Sequence, residues 1–438
     1  MTRAPGFVAI DFGTSNSAVA LPRPEGGVRL VELESGQLTM PTAVFYRADT
    51  PPQQLDAERL YGRAAIAAYV EGIDGRLMRS MKSILGSSLL DQGTDIGGGR
   101  SVRYRDVVVG YLRHLKSRAE AEAGHTVNRA VLGRPVFFVD DEPARDAQAQ
   151  AALEAAARQA GFTELQFQYE PIAAALDYEN TVHQERLVLV ADIGGGTSDF
   201  SLVRVGPLRR GRAERRDDIL ANHGVHLAGT DFDRHVELAC IMPLLGYRTL
   251  RPQSASRPGE APREVPSAVY FDLATWHLIN TVYAPAQLAE LRSMRRWYAD
   301  PRHHTRLMAT VDERLGHALA AAAEQAKIDV ALHGHADIDL AALEVGLRTA
   351  LRTSEAAAAI ELDLERIVQA ALETARQAGV TPAQVQALYF TGGSTGLTPL
   401  VDRIAACFPL AERVRGDRFA SVAQGLGLHA RAVFGTTA

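Results

Sequence analysis

The stretch RLVLVADIGGGTSDFSLVRV, residues 186–205, decides the fold. Two apolar runs around a glycine-rich turn predict two strands of one hairpin. Three successive glycines weaken a strand, so they indicate a ligand that touches the backbone. Asp192, Thr197 and Asp199 add two carboxylates and a hydroxyl to the turn. The segment predicts a phosphate-binding turn, with a β-bulge carrying solvated aspartates as the alternative.

A similar unit opens the chain as FVAIDFGTSNSAVAL, residues 7–21. Asp11 follows an apolar run, and Thr14 and Ser15 supply hydroxyl donors beside a glycine that lets a phosphate approach. Asp11 is suited to hold Mg²⁺ through water. A hairpin turn with capping hydroxyls is the alternative interpretation. The two units together indicate an internal duplication, with one phosphate-facing hairpin in each lobe.

A third glycine turn lies in FTGGSTGLTP, residues 390–399. Gly392 and Gly393 end a predicted strand and open a helix, where free N–H groups meet a phosphate or ribose, although an ordinary helix start looks the same. Residues 95–99, DIGGG, repeat the letters of the second turn. They follow a polar stretch rather than a strand, so we predict a surface turn there.

The composition excludes several classes of protein. The chain has 438 residues, 46% hydrophobic and 23% charged, which is typical of a globular protein with two or three lobes. A net charge of −5 gives no basic footprint for nucleic acid. No apolar run reaches the length of a membrane span, and Cys240 and Cys407 are expected to be buried free thiols. A cytoplasmic location is expected.

The order of the predicted elements gives the fold class. Strand and helix signals alternate between and after the two hairpins, which favours an α/β architecture with mixed sheets. Residues 247–266 are rich in Pro, Arg and Ser and are expected to form an exposed loop. Only three of the 47 basic residues are lysines, so each lysine is a hint that a compact ammonium is needed: Lys82, Lys116 and Lys327.

Seven motifs in one order resemble a known family: DFGTSNS, GRP, YEPIAAAL, ADIGGGTSD, LAGTDFD, EQAKI and TGGST. The chain resembles the ATPase domain of the seventy-kilodalton heat-shock chaperones of the DnaK type, within the actin and sugar-kinase superfamily. FQYEPIAAALDYE and CIMPLLG further resemble the short, YegD-type branch. The resemblance implies a two-lobed actin-like fold of duplicated ribonuclease H-like domains, with ATP in a cleft between the lobes.

The resemblance also implies roles for individual residues. Asp11, Asp192 and Asp199 match positions around Mg²⁺ and its waters, and K⁺ is a further candidate ion. Lys82 matches the lysine beside the γ-phosphate, and Glu170 matches the carboxylate near the attacking water, so these two with Asp192, Thr197 and Asp199 form the predicted catalytic set. The expected contacts to ATP or ADP are Asp11, Gly13, Thr14, Ser15, Asn16, Gly194, Gly195, Gly196, Thr197, Gly229, Glu324, Lys327, Gly392, Gly393, Ser394 and Thr395.

The chain departs from the family pattern on the side of the base. Gly396 replaces an arginine that stacks on adenine, Ala331 a serine near the base, and Phe419 an acidic residue. In LAGTDFD, Ala228 and Thr230 stand where the family pattern usually has Gly and Glu. Hydrolysis of a nucleotide is therefore better supported than a preference for adenine.

The resemblance sets the expected domain limits. Lobe I covers 1–188, with 36–105 as its outer subdomain and helix 420–438 returning to it, and lobe II covers 189–419, with 230–345 as its outer subdomain. No peptide-binding domain is expected after them.

The expected function is that of a slow, chaperone-type ATPase. Its lobes would close with nucleotide state, and it would act through a protein client or co-chaperone, with no nucleic acid or membrane partner. The alternatives are a small-molecule kinase of the same superfamily, a non-hydrolysing nucleotide sensor or scaffold, and an actin-like filament.

Overall fold

The computed structural model describes residues 6–23, 25–49, 59–139, 142–210, 212, 214–252, 263–416 and 420–435. The strands in these ranges are β1 (Phe7–Phe12), β2 (Asn16–Pro22), β3 (Val28–Leu30), β4 (Thr39–Pro41), β5 (Ala43–Arg47), β6 (Leu60–Tyr61), β7 (Gly75–Arg79), β8 (Gly93–Gly97), β9 (Arg100–Arg103), β10 (Arg129–Arg134), β11 (Glu164–Tyr169), β12 (Arg186–Ile193), β13 (Ser198–Val205), β14 (Ile219–Val225), β15 (His335–Asp339), β16 (Arg348–Arg352), β17 (Ala387–Thr391) and β18 (Glu412–Arg415).

The α-helices of the same ranges alternate with these strands in unit after unit, as the sequence predicted. They are α1 (Gly62–Val70), α2 (Tyr104–Ala123), α3 (Pro143–Gln159), α4 (Glu170–Thr181), α5 (Gly229–Cys240), α6 (Ala268–Ala274), α7 (Ile279–Val282), α8 (Pro285–Ser293), α9 (Pro301–Asp312), α10 (Gly316–His333), α11 (Thr353–Ala359), α12 (Glu361–Gln377), α13 (Thr398–Cys407) and α14 (Ser421–Phe434).

Two sheets of the described residues share one topology. The first runs in the order β11-β10-β1-β2-β3, with β4 also paired to β2, and the second in the order β14-β13-β12-β17-β18. In each, an antiparallel hairpin leads into two further strands, parallel to its first strand. The repeated order confirms the predicted internal duplication, and with it the mixed α/β class.

Both faces of the first sheet are buried. Successive side chains of a strand point to opposite faces. Val8, Ile10 and Phe12 therefore pack into the core that α2 and α3 cover. Phe7 and Ala9 pack on the other side, in a core shared with α4 and α14. This double burial is why the strand carries an almost unbroken apolar run up to Asp11.

Helix α4 connects the two sheets, because it contacts β10 and β11 of the first sheet and β12 and β13 of the second. Helix α14 packs on β1, β2, β3 and β10 and lies against α4. The two helices approach closely at Gly425, where a Cβ atom would lie 1.8 Å from the carbonyl oxygen of Ala173. Small residues on both helices permit this approach.

The chain divides into two compact units. Unit 1 comprises residues 1–225, 369–395 and 404–438 and contains both related sheets, while unit 2 comprises residues 226–368 and 396–403. Unit 2 has its own core of helices α5 to α10, together with the small β15–β16 sheet. No helix of the described residues is both long and apolar enough to span a bilayer.

Several smaller predictions can be compared with the structure. Residues 95–97 end strand β8, where Ile96 is buried, and the predicted surface turn is confined to the exposed Gly98 and Gly99. Cys240 and Cys407 are free, as predicted, but half-buried rather than buried. The ends of the predicted loop at 247–266 pair through Leu250 and Glu264, and its residues 253–262 lie outside the described ranges. Phe419 also lies outside them.

We expect Gly425→Ala to lower the free energy of unfolding by about 1–3 kcal/mol, because its methyl group would force α14 away from the backbone of α4. Denaturation in guanidinium chloride measures the change. Gly110→Ala is the matched control in helix α2, where the new methyl group overlaps with the movable guanidinium end of Arg59 and is in ordinary contact with the Tyr61 hydroxyl. Equal destabilisation by the two variants would contradict the proposed helix contact.

Glu237 gives a second prediction, in the core of unit 2. It is 1% exposed, and its Oε1 atom has no hydrogen-bond partner among the described residues. Burial, with a smaller effect of the Asp233 charge, raises its pKa well above the usual 4.5. The folded state therefore keeps a proton that the unfolded state releases, and stability falls as pH rises above 4.5.

Replacing Glu237 by glutamine removes this titration. We expect Glu237→Gln to stabilise the protein by about 1–3 kcal/mol at pH 8 and to have less effect at pH 5. Denaturation curves at the two pH values measure it, with exposed Glu290→Gln of the same unit as control. A gain that is the same at both pH values would rule out the titration of Glu237 as its cause.

Candidate functional site

The three predicted glycine turns meet in unit 1, at the ends of β1, β12 and β17. A Cβ atom on Gly195 would lie 2.9 Å from the Oγ atom of Ser15, which brings the first and second turns together. The hydroxyl of Ser394 donates to the carbonyl oxygen of Gly194 over 2.7 Å, which joins the third turn to the second. Three backbone turns therefore meet at one place, as a phosphate site requires.

Gly392 shows why glycine is needed in the third turn. Its φ of +86° lies in the left-handed region, which side chains other than glycine rarely adopt. A Cβ atom there would also lie 2.4 Å from the carbonyl oxygen of Ile193 and 2.7 Å from Oδ1 of Asp192. The turn after β17 thus lies directly against the end of β12 and its carboxylate.

Lys82 and Glu170 form a buried ion pair beside these turns. The Lys82 ammonium donates to Oε1 of Glu170, and the two side chains are 8% and 16% exposed. Glu170 is the first residue of α4, where the helix dipole favours a carboxylate. Lys82 lies in a short 3₁₀ helix, Met81–Ile84, which follows Ser80 in a left-handed conformation with φ 55°. A non-glycine residue at such a φ indicates a constrained backbone.

Several carboxylates surround this one ammonium. Burial, followed by the charge of Glu170, raises the pKa of Asp11 to about 8, although Lys82 opposes the shift. Burial, followed by the charge of Asp199, raises the pKa of Asp192 to about 7. Burial alone would lower the pKa of Lys82, but Glu170 and Asp11 outweigh it and the pKa is raised. Asp11, Lys82, Glu170 and Asp192 therefore share one electrostatic site with more negative than positive charge.

The donor set fits a hard cation that retains its waters. Asp192 and Asp199 lie directly opposite each other on β12 and β13, and the Thr197 hydroxyl donates to Oδ2 of Asp199 over 2.7 Å. Oxygen donors and uncompensated carboxylates are what Mg²⁺ prefers. No three His, Cys, Asp or Glu side chains of the described residues are arranged to hold a metal directly. The carboxylates of Asp11, Asp192 and Asp199 have the oxygen donors that suit a hydrated Mg²⁺.

The predicted nucleoside residues lie in unit 2. The Lys327 ammonium is 2.6 Å from Oδ1 of Asp233 and donates to the carbonyl oxygen of Gly229 over 3.3 Å. Glu324 is exposed one turn earlier on α10. Burial raises the pKa of Asp233 to about 6 against the effect of Lys327, and the charge of Glu324 adds to the rise. These four residues form a second group within their own unit.

The sequence analysis missed two kinds of supporting residue. Thr42 holds the first turn, because its hydroxyl donates to the carbonyl oxygen of Gly13 over 2.7 Å and its N–H donates to that of Ser15 over 2.9 Å. Ser17 shares a hydrogen bond of 2.9 Å with the Thr42 hydroxyl. No local signal marks Thr42, whereas Asp233 lies within the quoted LAGTDFD motif and could have been found there.

The predicted site residues thus divide between the two units. The larger group surrounds the turns of unit 1: Asp11, Gly13, Thr14, Ser15, Asn16, Lys82, Glu170, Asp192, Gly194, Gly195, Gly196, Thr197, Asp199, Gly392, Gly393, Ser394 and Thr395. The smaller group, Gly229, Glu324 and Lys327, belongs to unit 2.

We expect Gly392→Ala to cost more stability than Gly379→Ala. Both glycines have a positive φ, +86° and +67°, but no atom lies within 4 Å of the position that a Cβ would take at Gly379. Gly379→Ala therefore carries only the backbone cost, about 1–2 kcal/mol, while Gly392→Ala also pushes Ile193 and Asp192 away. Denaturation in guanidinium chloride measures the free energy of unfolding of both variants. Equal losses would contradict the close approach between the ends of β12 and β17.

Comparison with known proteins finds similarity to one family. Residues 96–241 match the family model described as Hsp70 protein. The chaperone protein DnaK of Thermosipho melanesiensis is 32% identical over 231 residues, which cover 52% of this chain and 34% of the relative. The DnaK of Mycoplasmoides gallisepticum is 31% identical over 233 residues, covering 52% and 35%.

The match thus spans about a third of the length of these curated relatives. The Hsp70 family has the actin-like ATPase fold, and the two sheets of identical topology agree with it. The finer resemblance to the YegD-type branch stays a prediction. The chain is therefore similar to Hsp70 proteins over residues 96–241, and to DnaK chaperone proteins over about half of its length.

Proposed function

We propose that this chain binds ATP or ADP with Mg²⁺ and hydrolyses ATP slowly, as a chaperone-type ATPase. The observation that supports the proposal most is the meeting of three glycine turns around the buried Lys82–Glu170 pair. Turns of this kind bind phosphates through backbone N–H groups. An ammonium paired with a carboxylate beside them is equipped to act on a terminal phosphate and on water.

The residues on the phosphate side of the site would mainly position the phosphates and stabilise their charge. Thr14, Ser15 and Thr197 offer hydroxyl donors to the phosphates, and the turn of Gly392 to Thr395 offers N–H groups. Asp11, Asp192 and Asp199 would hold Mg²⁺ through its waters. When bound, Mg²⁺ neutralises phosphate charge. It would also bring the raised pKa values of Asp11 and Asp192 back toward the ionised range.

Lys82 and Glu170 would divide the chemical task between them. The ammonium of Lys82 stabilises the charge that develops on the transferring group, since a preorganised cation in a buried place needs no reorganisation. Glu170 accepts a hydrogen bond from Lys82 and keeps a second oxygen for the attacking water. The ion pair holds both groups in place before the nucleotide arrives.

The nucleoside would be held by Glu324 and Lys327, with Gly229 contacting phosphate or adenosine. The structure adds Asp233 to this group, because it forms an ion pair with Lys327. Gly396 and Ala331 leave the base with fewer polar contacts than the family pattern offers. K⁺ remains a further proposed ion. Because Gly396 and Ala331 alter the side of the base, selection of adenine is less well supported than hydrolysis of a nucleotide.

The division into lobes and the action on a partner are also proposals. As functional lobes we keep residues 1–188 and 189–419, each built around one of the two related sheets. Closure of these lobes with nucleotide state would transmit the result of hydrolysis to a protein client or co-chaperone. The relatives that match are named chaperone proteins, which supports a partner of this kind.

We expect Lys82→Ala to abolish turnover while ATP binding survives. Loss of one preorganised electrostatic contact costs roughly 3 kcal/mol, or about a hundredfold in rate. Single-turnover phosphate release measures the rate, and calorimetric titration with ATP, ADP and GTP in the presence of Mg²⁺ measures binding.

Lys116→Ala is the matched control, because Lys116 is equally buried and pairs with Glu120 within helix α2. Unchanged hydrolysis in Lys82→Ala would remove Lys82 from the mechanism. Tight ATP binding without phosphate release in the wild type would instead favour a nucleotide sensor. A sharp rise of release with an added sugar would favour a kinase.

A further inference from the structure

A buried hydrogen bond is made by a residue that lies two positions before Glu170. Gln168, the second-last residue of β11, is 2% exposed, and His429 of helix α14 is 7% exposed. The Nε2 atom of Gln168 lies 3.1 Å from Nδ1 of His429. The Oε1 atom of the same amide accepts from the N–H of Tyr169 over 2.9 Å. The amide of Gln168 thus connects helix α14 to the backbone one residue before Glu170.

The position of Tyr169 makes this connection important for Glu170. Tyr169 precedes the first residue of α4, has an extended backbone, and its own side chain caps no N–H of the helix. The step from β11 into α4 contains no loop, so Glu170 takes its direction from the backbone of Tyr169. A backbone N–H held by a buried amide is fixed more firmly than one exposed to water.

Hydrogen-bond chemistry determines the state of the histidine ring. Because Oε1 of Gln168 already accepts from Tyr169, the amide presents its NH₂ group to His429. The Nδ1 atom of His429 must then accept, and the neutral ring carries its proton on Nε2. Burial, with a smaller effect of the Arg215 charge, lowers the pKa of His429 to about 4, which agrees with a neutral ring.

Helix α4 is held at its other end as well. Glu179, near the end of α4, accepts two hydrogen bonds from the buried guanidinium of Arg215, over 3.1 and 2.9 Å. Asp218 also pairs with Arg215. The helix that carries Glu170 is therefore fixed at its start by Gln168 and His429 and near its end by Arg215.

We propose that Gln168 and His429 are positioning residues, which hold Glu170 in its ion pair with Lys82 and so support hydrolysis. The inference rests on the proposed function. It predicts that loss of the amide–imidazole bond slows the chemical step more than it weakens binding of nucleotide, because the bond lies behind Glu170 and not at the turns that hold the phosphates.

Variants of His429 separate this role from simple packing. His429→Leu removes the acceptor, whereas His429→Asn can place an amide oxygen near the position of Nδ1. Gln168→Leu removes the bond from the other side. Thr374→Val is the control, because it deletes a buried hydrogen bond of unit 1 within α12, away from Glu170.

The measurements are single-turnover phosphate release and ATP affinity by calorimetry, both with the full chain. We expect about a tenfold loss of rate in His429→Leu and in Gln168→Leu, with ATP affinity within about twofold of the wild type. His429→Asn is expected to retain most of the rate, and the double leucine variant to be no slower than either single variant. Thr374→Val is expected to hydrolyse ATP at the wild-type rate.

Nitrogen-15 shifts of the His429 ring provide a readout that does not depend on activity, and they should show the proton on Nε2. A wild-type rate in His429→Leu, equal loss in the leucine and asparagine variants, or a proton on Nδ1 would overturn the inference. Absence of phosphate release from the wild type would overturn the proposed function itself, and the positioning role with it.

Discussion

The buried ion pair between Lys82 and Glu170 is the interaction on which the rest of the site depends. An ion pair taken out of water is costly unless its geometry is good and its remaining polar atoms are satisfied. Among the residues that the structure describes, the Lys82 ammonium is also the cation that lowers the pKa of both Asp11 and Asp192. Four segments far apart in the sequence must therefore arrive together, and the left-handed backbone at Ser80 is part of what brings Lys82 there.

The duplicated sheets explain how such a site can be built. Each sheet places an aspartate at the end of its first strand, Asp11 on β1 and Asp192 on β12, directly before a tight turn. Helix α4 contacts both sheets and carries Glu170 at its first residue. The repeat supplies the two similar sheets, whereas the ammonium of Lys82 and the carboxylate of Glu170 come from single, unrepeated segments. In the proposed function, the similar strands would bind the nucleotide and the different connections would supply the reacting groups.

The turns, the duplication and the α/β class could be predicted because their signals are local. A glycine turn after an apolar strand can be recognised within ten residues of sequence, and Asp192 and Asp199 lie in the same hairpin. The contacts of Thr42 with Gly13 and of Gln168 with His429 could not be predicted, since they join residues 29 and 261 positions apart that have no pattern of their own. The ion pair of Lys327 with Asp233 likewise depends on how α5 and α10 pack. The amino-acid pattern indicates which chemistry is present, and the packing decides which groups support it.

The placement of helix α14 governs the order in which the protein can assemble. This helix packs on the first three strands of the chain, although more than 390 residues separate them in the sequence. During synthesis the strands nearest the amino terminus leave the ribosome early. Helix α14, residues 421–434, can cover one face of their sheet only after it has been synthesised as well. Almost all of unit 2 is one continuous segment, so its core does not depend on a helix from the end of the chain. A nascent chain would therefore lack the cover of α14 on the apolar face of β1, β2 and β3 for most of its translation.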